Sequence, residues 1–201
     1  MNRNGPAPYL NDSDFQIAYP SLLASFVWTV ILALAVIAGS FALSCSAPFA
    51  ALAVALTATI RIRASLSTMT LVWLVNQIAG FALFHFPHTL NTVLWGFAIG
   101  GAALLTTLVS SAGLRRASSL PPLLRLGLCL GLSFVAYECI LWLATFALGG
   151  RETFALPIVL ELGLINGVWL VAMIALNEIA ATLCRPWLGR IPMIVSRLGF
   201  V

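Results

Sequence analysis

Polar side chains interrupt several long apolar stretches of this sequence, and they are the groups best suited to bind a ligand. Asn76 and Gln77 are neighbours in one stretch, Glu138 lies in a second, and Glu161 and Asn166 share a third. A carboxamide both donates and accepts hydrogen bonds, and a carboxylate accepts them or binds a cation. Lipid satisfies neither group, so each is expected to face protein, a cavity or a ligand.

Aromatic side chains and histidines accompany these polar groups. Trp95, Tyr137 and Trp169 offer stacking surface to a ligand, although core packing or anchoring at the membrane interface would use the same side chains. His85 and His88 belong to the turn Phe-His-Phe-Pro-His, whose proline breaks any helical face that the two imidazoles would share. The two histidines are therefore interpreted either as ligand contacts or as interfacial residues that bind nothing.

No intrinsic metal or cofactor site is predicted. The four cysteines form no C-x-x-C or zinc-type pattern, and most of them lie within or at the ends of apolar runs, as small packing residues do. Cys45 is predicted to share the outer face with His85 and His88, and a thiolate with imidazoles suits a soft or borderline metal. If a ligand carries its own metal, one of these three residues is the candidate donor.

The composition indicates a membrane protein. Of 201 residues, 61% are hydrophobic and only 8% are charged, too few charges to cover the surface of a soluble domain. Since a bilayer core needs about 20 apolar residues per helix, the chain has room for about six spans and for no separate soluble domain. The expected fold is an all-α integral membrane protein. The predicted spans cover residues 20–43, 47–60, 66–86, 90–110, 123–148 and 157–183.

These spans form one predicted membrane domain over residues 20–184. A polar N-terminal segment (1–19) precedes it, and a short basic tail (185–201) follows it at the membrane interface.

The arginines predict the orientation of the chain. Six spans place every basic residue except Arg151 on the same side of the membrane. Because positively charged loops stay in the cytoplasm, both termini are predicted to be cytoplasmic, in a multi-pass protein of the bacterial inner membrane. An odd number of spans would scatter the arginines over both faces. Topology also explains the pI near 9.2 better than a nucleic-acid partner does, so no such partner is predicted.

No motif of catalysis is found in the sequence. An H-E-x-x-H motif and a Gly-rich phosphate loop are missing, and both histidines share one turn instead of facing a membrane serine. The chain is therefore predicted not to be an enzyme and not to bind ATP itself.

Small residues recur at helical spacing within the apolar stretches. In the first predicted span Ala35 and Gly39 are four positions apart, as are Ala38 and Ala42, and this spacing lets another helix approach closely. The fourth predicted span offers glycines for the same purpose, at Gly96, Gly100 and Gly101.

In its architecture the whole chain resembles the substrate-binding S components of energy-coupling factor (ECF) vitamin transporters, which are six-span proteins of about this size with cytoplasmic termini. The resemblance implies a bound vitamin and docking of the first helix on a coupling transmembrane subunit through Ala35, Ala38, Gly39 and Ala42. Separate ATPase subunits would supply the energy. Cobalamin-type members are the most similar, and for them the resemblance implies Cys45 as a donor to the corrinoid cobalt.

The resemblance places the ligand between the outer loops and the upper halves of the third, fifth and sixth spans. The residues expected to bind it are Asn76, Gln77, His85, His88, Trp95, Tyr137, Glu138, Glu161, Asn166 and Trp169.

Two other functions remain open at this point. If the buried polar groups only join helices to one another, the chain is an assembly or accessory subunit of a larger membrane complex. A small oligomeric permease is the other alternative. An outward pocket lined by the polar residues favours the binding protein, whereas a filled bundle favours the accessory subunit.

Overall fold

The computed structural model of the chain describes Val30, Ile31, Leu34 and residues 48–188, with side chains described up to Ala180. Within these residues all regular structure is helical. The helices are α1 (Phe49–Thr59), α2 (Ile62–Ala82), α3 (Leu90–Arg116), α4 (Pro122–Leu148), a 3₁₀ helix (Arg151–Phe154) and α5 (Leu156–Leu188). The predicted segment 1–19, most of the first predicted span and residues 189–201 lie outside the described part.

Among the described residues, three helices are long and apolar enough to cross a membrane: α3, α4 and the Leu156–Ala180 part of α5. They confirm the predicted helical fold and support its location in a membrane. Helix α2 has 21 residues and is not among these three; it carries Asn76 and Gln77 side by side. Its length is nevertheless close to the about 20 residues that a span needs.

Helix α3 places small residues inside and large apolar residues outside. On α3 the buried positions are mostly Gly, Ala, Ser and Thr, among them Gly100, Ala103 and Thr107. Large side chains such as Phe97 and Leu105 are at least half exposed on the same helix. This distribution suits a lipid environment, where association depends on close approach of the backbones and not on burial of large apolar groups.

Helix α1 lies at the centre of the bundle and packs against all four other α-helices. Every residue in it except Thr57 is buried, which fits a helix that is apolar on all sides. The sequence predicted a span here, at residues 47–60, but the helix has only 11 residues and is about 16 Å long. A hydrocarbon core is about 30 Å thick, so α1 alone does not cross it.

Neighbouring helices run antiparallel. The guanidinium of Arg125, near the start of α4, donates two hydrogen bonds to the carbonyl of Leu114 near the end of α3. The indole of Trp73 on α2 donates to the carbonyl of Gly96, near the start of α3, at 2.9 Å. One end of the bundle therefore carries the arginines of α2, α3 and α4, and we call it the arginine end. The opposite end carries the turn 83–89 and the 3₁₀ helix.

Candidate functional site

A cavity of about 450 Å³ lies between the helices, towards the end of the bundle opposite the arginine end. Five of the ten predicted ligand-binding residues line it: Asn76, Trp95, Tyr137, Glu138 and Asn166. They come from α2, α3, α4 and α5, so the fold brings together side chains that are far apart in the sequence.

The short central helix explains where this cavity lies. Phe49, the first residue of α1, lines the cavity, and its ring centroid lies 6.1 Å from that of Tyr137. Tyr137 lies 11 residues before the end of α4, which is about 16 Å at 1.5 Å per residue, so α1 begins well inside the bundle. The surrounding helices continue beyond this point, and the cavity occupies the space between them. Phe49 forms its floor.

Asn166 is buried and joins α5 to the start of α1. Its Oδ1 accepts a hydrogen bond from the backbone N–H of Ala51 at 3.1 Å, and its Nδ2 donates to the carbonyl of Leu162 at 2.9 Å. Pro48, which directly precedes α1, makes no side-chain hydrogen bond that would cap the helix. Asn166 therefore satisfies one of the backbone donors that a helix start leaves without an intrahelical partner. The sequence predicted a ligand contact, and the structure shows a helix cap beside the cavity.

Asn76, Tyr137 and Glu138 keep their hydrogen-bonding capacity available to the cavity. All three line it and are half-buried. Within the described part of the chain, no hydrogen bond or ion pair joins their polar side-chain atoms to another residue. A carboxylate and an amide held at membrane depth require polar partners, because lipid provides none. The cavity is the place from which such partners can reach them.

The walls between these polar groups are apolar. Four of the apolar residues that line the cavity are Phe154 of the 3₁₀ helix, Ile158 of α5, Ile99 of α3 and Leu141 of α4. The sequence does not identify these residues or Phe49, because an aliphatic or aromatic side chain in an apolar run has no signal that separates a cavity wall from a lipid contact. Mostly apolar walls with a few polar groups are typical of small-ligand pockets, whose volumes run from about 300 to 1,000 Å³.

Gln77 lies outside the cavity lining, against α3. A side chain added at Gly96 would collide with the Gln77 amide, and one at Gly100 would collide with the Trp73 indole. These two glycines therefore confirm the prediction of a close approach. Gly101 has open space around it instead.

Glu161 and Trp169 are also not among the residues that line the cavity. Glu161 is exposed on α5, and Trp169 packs against the buried core. Both residues stay predictions as ligand contacts, without support from the geometry of the cavity.

The two histidines lie in the turn between α2 and α3, away from the cavity lining. The backbone of His85 is left-handed, with φ of 54°, and the following Phe86 N–H donates to the carbonyl of Gly80 at 3.1 Å. The His88 ring stacks on Phe81, with centroids 5.3 Å apart. These contacts fold the turn back onto the end of α2.

Five residues with a predicted role lie outside the described part of the chain. They are Cys45, the possible metal donor, and the predicted docking residues Ala35, Ala38, Gly39 and Ala42. Among the residues that are described, no group of three or more His, Cys, Asp or Glu side chains could hold a metal ion.

Scans against protein-family models, curated proteins and solved structures find no match to this chain. Its function is therefore inferred from the residues and geometry of the cavity.

Proposed function

We propose that this chain is a membrane-embedded binding protein that receives a small, vitamin-like molecule in the cavity above α1. The observation that carries the proposal is the convergence of Asn76, Tyr137 and Glu138 on one cavity without hydrogen-bonding partners among the described residues. A ligand with polar groups satisfies them, and its apolar part contacts Trp95 and Phe49.

The proposed topology has six helical segments, with both termini in the cytoplasm of a bacterium and the cavity facing outward. The distribution of charge supports it. The arginines at the ends of α2 and α3 and at the start of α4 lie at the arginine end, and Arg151 lies at the other. The positive-inside rule assigns the arginine end to the cytoplasm.

In this proposal the chain acts as the S component of an ECF-type transporter. The first predicted span docks on a coupling transmembrane subunit through Ala35, Ala38, Gly39 and Ala42, and separate ATPases drive release of the ligand inward. A cavity of about 450 Å³ favours a compact vitamin over a whole corrinoid, of which only a part would enter. Binding itself needs only noncovalent contacts from the chain.

An accessory subunit of a larger complex is the second candidate. It is favoured by Asn166, whose amide makes both of its hydrogen bonds within the protein. For this function the remaining polar groups would be satisfied by a partner chain, and no small molecule would bind.

Thermal unfolding of the purified full chain in nanodiscs, across a panel of water-soluble vitamins, tests the proposal. A ligand at 100 times its Kd stabilises a protein by about 2.7 kcal/mol, which raises the Tm of a chain of this size by about 5–10 °C. We expect such a rise with one vitamin class for the wild type. Mass spectrometry of the extracted preparation should identify the same class of compound.

A pair of variants on α3 makes this test specific to the cavity. Ile99→Trp places a large side chain in the cavity wall, whereas Leu105→Trp adds the same side chain at a half-exposed position. We expect Ile99→Trp to lose the rise in Tm and Leu105→Trp to keep it. No co-purifying compound and an unchanged Tm across the panel would contradict the proposal and support the accessory subunit.

A further inference from the structure

We propose that the ligand of this cavity is an organic monocation with an aromatic or apolar body, whose positive group lies beside Glu138. The inference rests on the proposed function and specifies the chemical class of the ligand.

Charge is the first argument for a cation. Among the described residues that line the cavity, Glu138 is the only one that can be charged near neutral pH, since none of the others is Arg, Lys, His, Asp or Glu. Arg151 lies at the same end of the bundle, but its guanidinium stacks over the Phe146 ring, 4.1 Å from the centroid. Phe146 is more than half exposed, so this arginine is on the outside of the bundle.

A membrane environment strengthens this argument. Charges interact more strongly where water and counter-ions are few, so a single carboxylate makes such a cavity favourable for a cation and unfavourable for an anion. The amide of Asn166 already caps α1, which leaves the amide of Asn76 as a neutral partner for the rest of the ligand.

Aromatic rings provide the second argument. Phe49, Trp95, Tyr137 and Phe154 all line the cavity. The face of an aromatic ring carries negative charge density and attracts ammonium groups, most strongly when water is excluded. A carboxylate with several rings around it therefore suits an ammonium or aromatic cation better than it suits a neutral or anionic molecule.

Three probes that share one naphthyl body separate these possibilities. They are 2-(1-naphthyl)ethylammonium, the neutral 2-(1-naphthyl)ethanol and the anionic 1-naphthylacetate. Isothermal titration calorimetry of the full chain in nanodiscs at pH 7, with empty nanodiscs subtracted, gives the three Kd values. We expect the ammonium compound to bind at least tenfold more tightly than the alcohol, and the acetate more weakly than either.

Two matched variants assign the charge preference to one carboxylate. Glu138→Gln keeps the size of the side chain and removes its charge, whereas Glu152→Gln makes the same change at an exposed position outside the cavity lining. We expect Glu138→Gln to weaken binding of the ammonium probe at least tenfold, to about the affinity for the alcohol, and Glu152→Gln to bind like the wild type. The Tm of each variant without probe shows whether it is folded, and Glu138→Asp, which keeps the charge, should retain the preference.

The experiments distinguish a cavity that binds a ligand without selecting a cation from a cavity that binds no ligand. If the alcohol binds as tightly as the ammonium compound, and Ile99→Trp abolishes both, the cavity holds a ligand but does not select a cation. If the ammonium probe does not bind the wild type, the inference is wrong. Whether the cavity binds any compound at all is then decided by the vitamin panel and by the co-purifying material.

Discussion

Asn166 connects the packing of the bundle with the position of the cavity. Its Oδ1 accepts from the Ala51 N–H of a helix start that lies inside the protein. A buried N–H without a partner destabilises a folded protein, and here the hydrogen bond also fixes where α1 begins. Because Phe49 at this helix start is the floor of the cavity, Asn166 sets the depth of the cavity as well as contacting it.

Replacing Asn166 by Leu should destabilise the protein by about 1–2 kcal/mol, since hydrogen bonds between membrane helices contribute about this much and the Ala51 N–H would be left unsatisfied. Asn166→Asp keeps the acceptor oxygen, so this variant should lose less stability than Asn166→Leu. Gly167→Ala is the control, because an added methyl group meets open space there. Equilibrium unfolding in mixed micelles measures the three changes. A wild-type stability for Asn166→Leu would contradict the capping role.

For single residues, the sequence indicates which polar side chains could bind a ligand but not the direction in which each side chain points. Asn166 and Glu161 lie on the same helix, yet five residues at about 100° each turn one about 140° away from the other. Asn166 therefore faces α1 while Glu161 is exposed. Asn76 and Gln77 differ by about 100° in the same way, so one lines the cavity and the other contacts α3.

Contact between α2 and α3 depends on glycines that receive side chains from α2. The Trp73 indole lies so close to Gly100 that a Cβ atom there would overlap it, and its Nε1 is held by the Gly96 carbonyl. A rigid ring tied by a hydrogen bond cannot move aside at little cost. The two helices are therefore fixed at a short distance, which also positions Asn76 beside the cavity.

Gly100→Ala should destabilise the chain by about 1–3 kcal/mol, the usual cost of overpacking. Gly101→Ala makes the same change one residue further along α3, where the space is open. It should be neutral or stabilise the protein by up to about 1 kcal/mol, because alanine favours helix over glycine. Unfolding monitored by circular dichroism in micelles compares the two variants. Equal stabilities of the two variants would show that the close contact between Gly100 and Trp73 does not affect the stability of the protein.

Arg125 caps the end of the neighbouring helix. Its Nε and Nη2 donate to the Leu114 carbonyl at 3.0 and 2.5 Å, and this carbonyl lies in the last turn of α3. A cation near a helix C-terminus is also favoured by the helix dipole. Arginine at this position therefore has a structural role besides any effect on the orientation of the chain.

Arg125→Gln should cost about 1.5 kcal/mol, since a hydrogen bond to a charged group contributes about 1.5–3 kcal/mol and this one is partly exposed. Arg116→Gln is the matched control, because Arg116 is exposed at the same end of the bundle. Thermal unfolding in nanodiscs measures both. A loss of stability as large for Arg116→Gln as for Arg125→Gln would mean that net charge, and not the cap, is responsible.

Helix α1 shows what an apolar run cannot reveal by itself. A short helix enclosed by other helices and a membrane span are both apolar on every side, so the sequence predicts the helix but not its surroundings. The alanines of α1 are the informative feature, since they let other helices approach closely on all sides. Its length of 11 residues then creates the space above it.

For the whole molecule, apolar runs predict an all-helical fold in a membrane. The described residues confirm the helical fold, and three of their helices are long and apolar enough to span. Composition alone could reveal this, because few soluble proteins expose so much apolar surface. The six spans and the cytoplasmic termini stay predictions, as they depend on the positive-inside rule and on residues outside the described part. The sequence predicts a ligand site among polar residues of several helices, and five of the ten predicted residues line the cavity. Its floor and apolar walls could not be predicted, since they result from the unequal lengths of packed helices.

Cysteine labelling in intact bacterial cells tests the orientation. In a variant without native cysteines, Glu152→Cys lies in the 3₁₀ helix and Ser119→Cys lies in the turn between α3 and α4, and both positions are exposed. A membrane-impermeant maleimide should label Glu152→Cys in intact cells and Ser119→Cys only after the cells are opened. The reverse pattern would place the arginine end outside and contradict the proposed topology.

Native mass spectrometry of the full chain released from nanodiscs tests the central claim, that a small molecule occupies the cavity above α1. We expect a wild-type population that carries one small-molecule adduct, the same adduct on Leu105→Trp and none on Ile99→Trp. An adduct that persists on Ile99→Trp, or its absence from every form of the chain, would show that no ligand occupies this cavity.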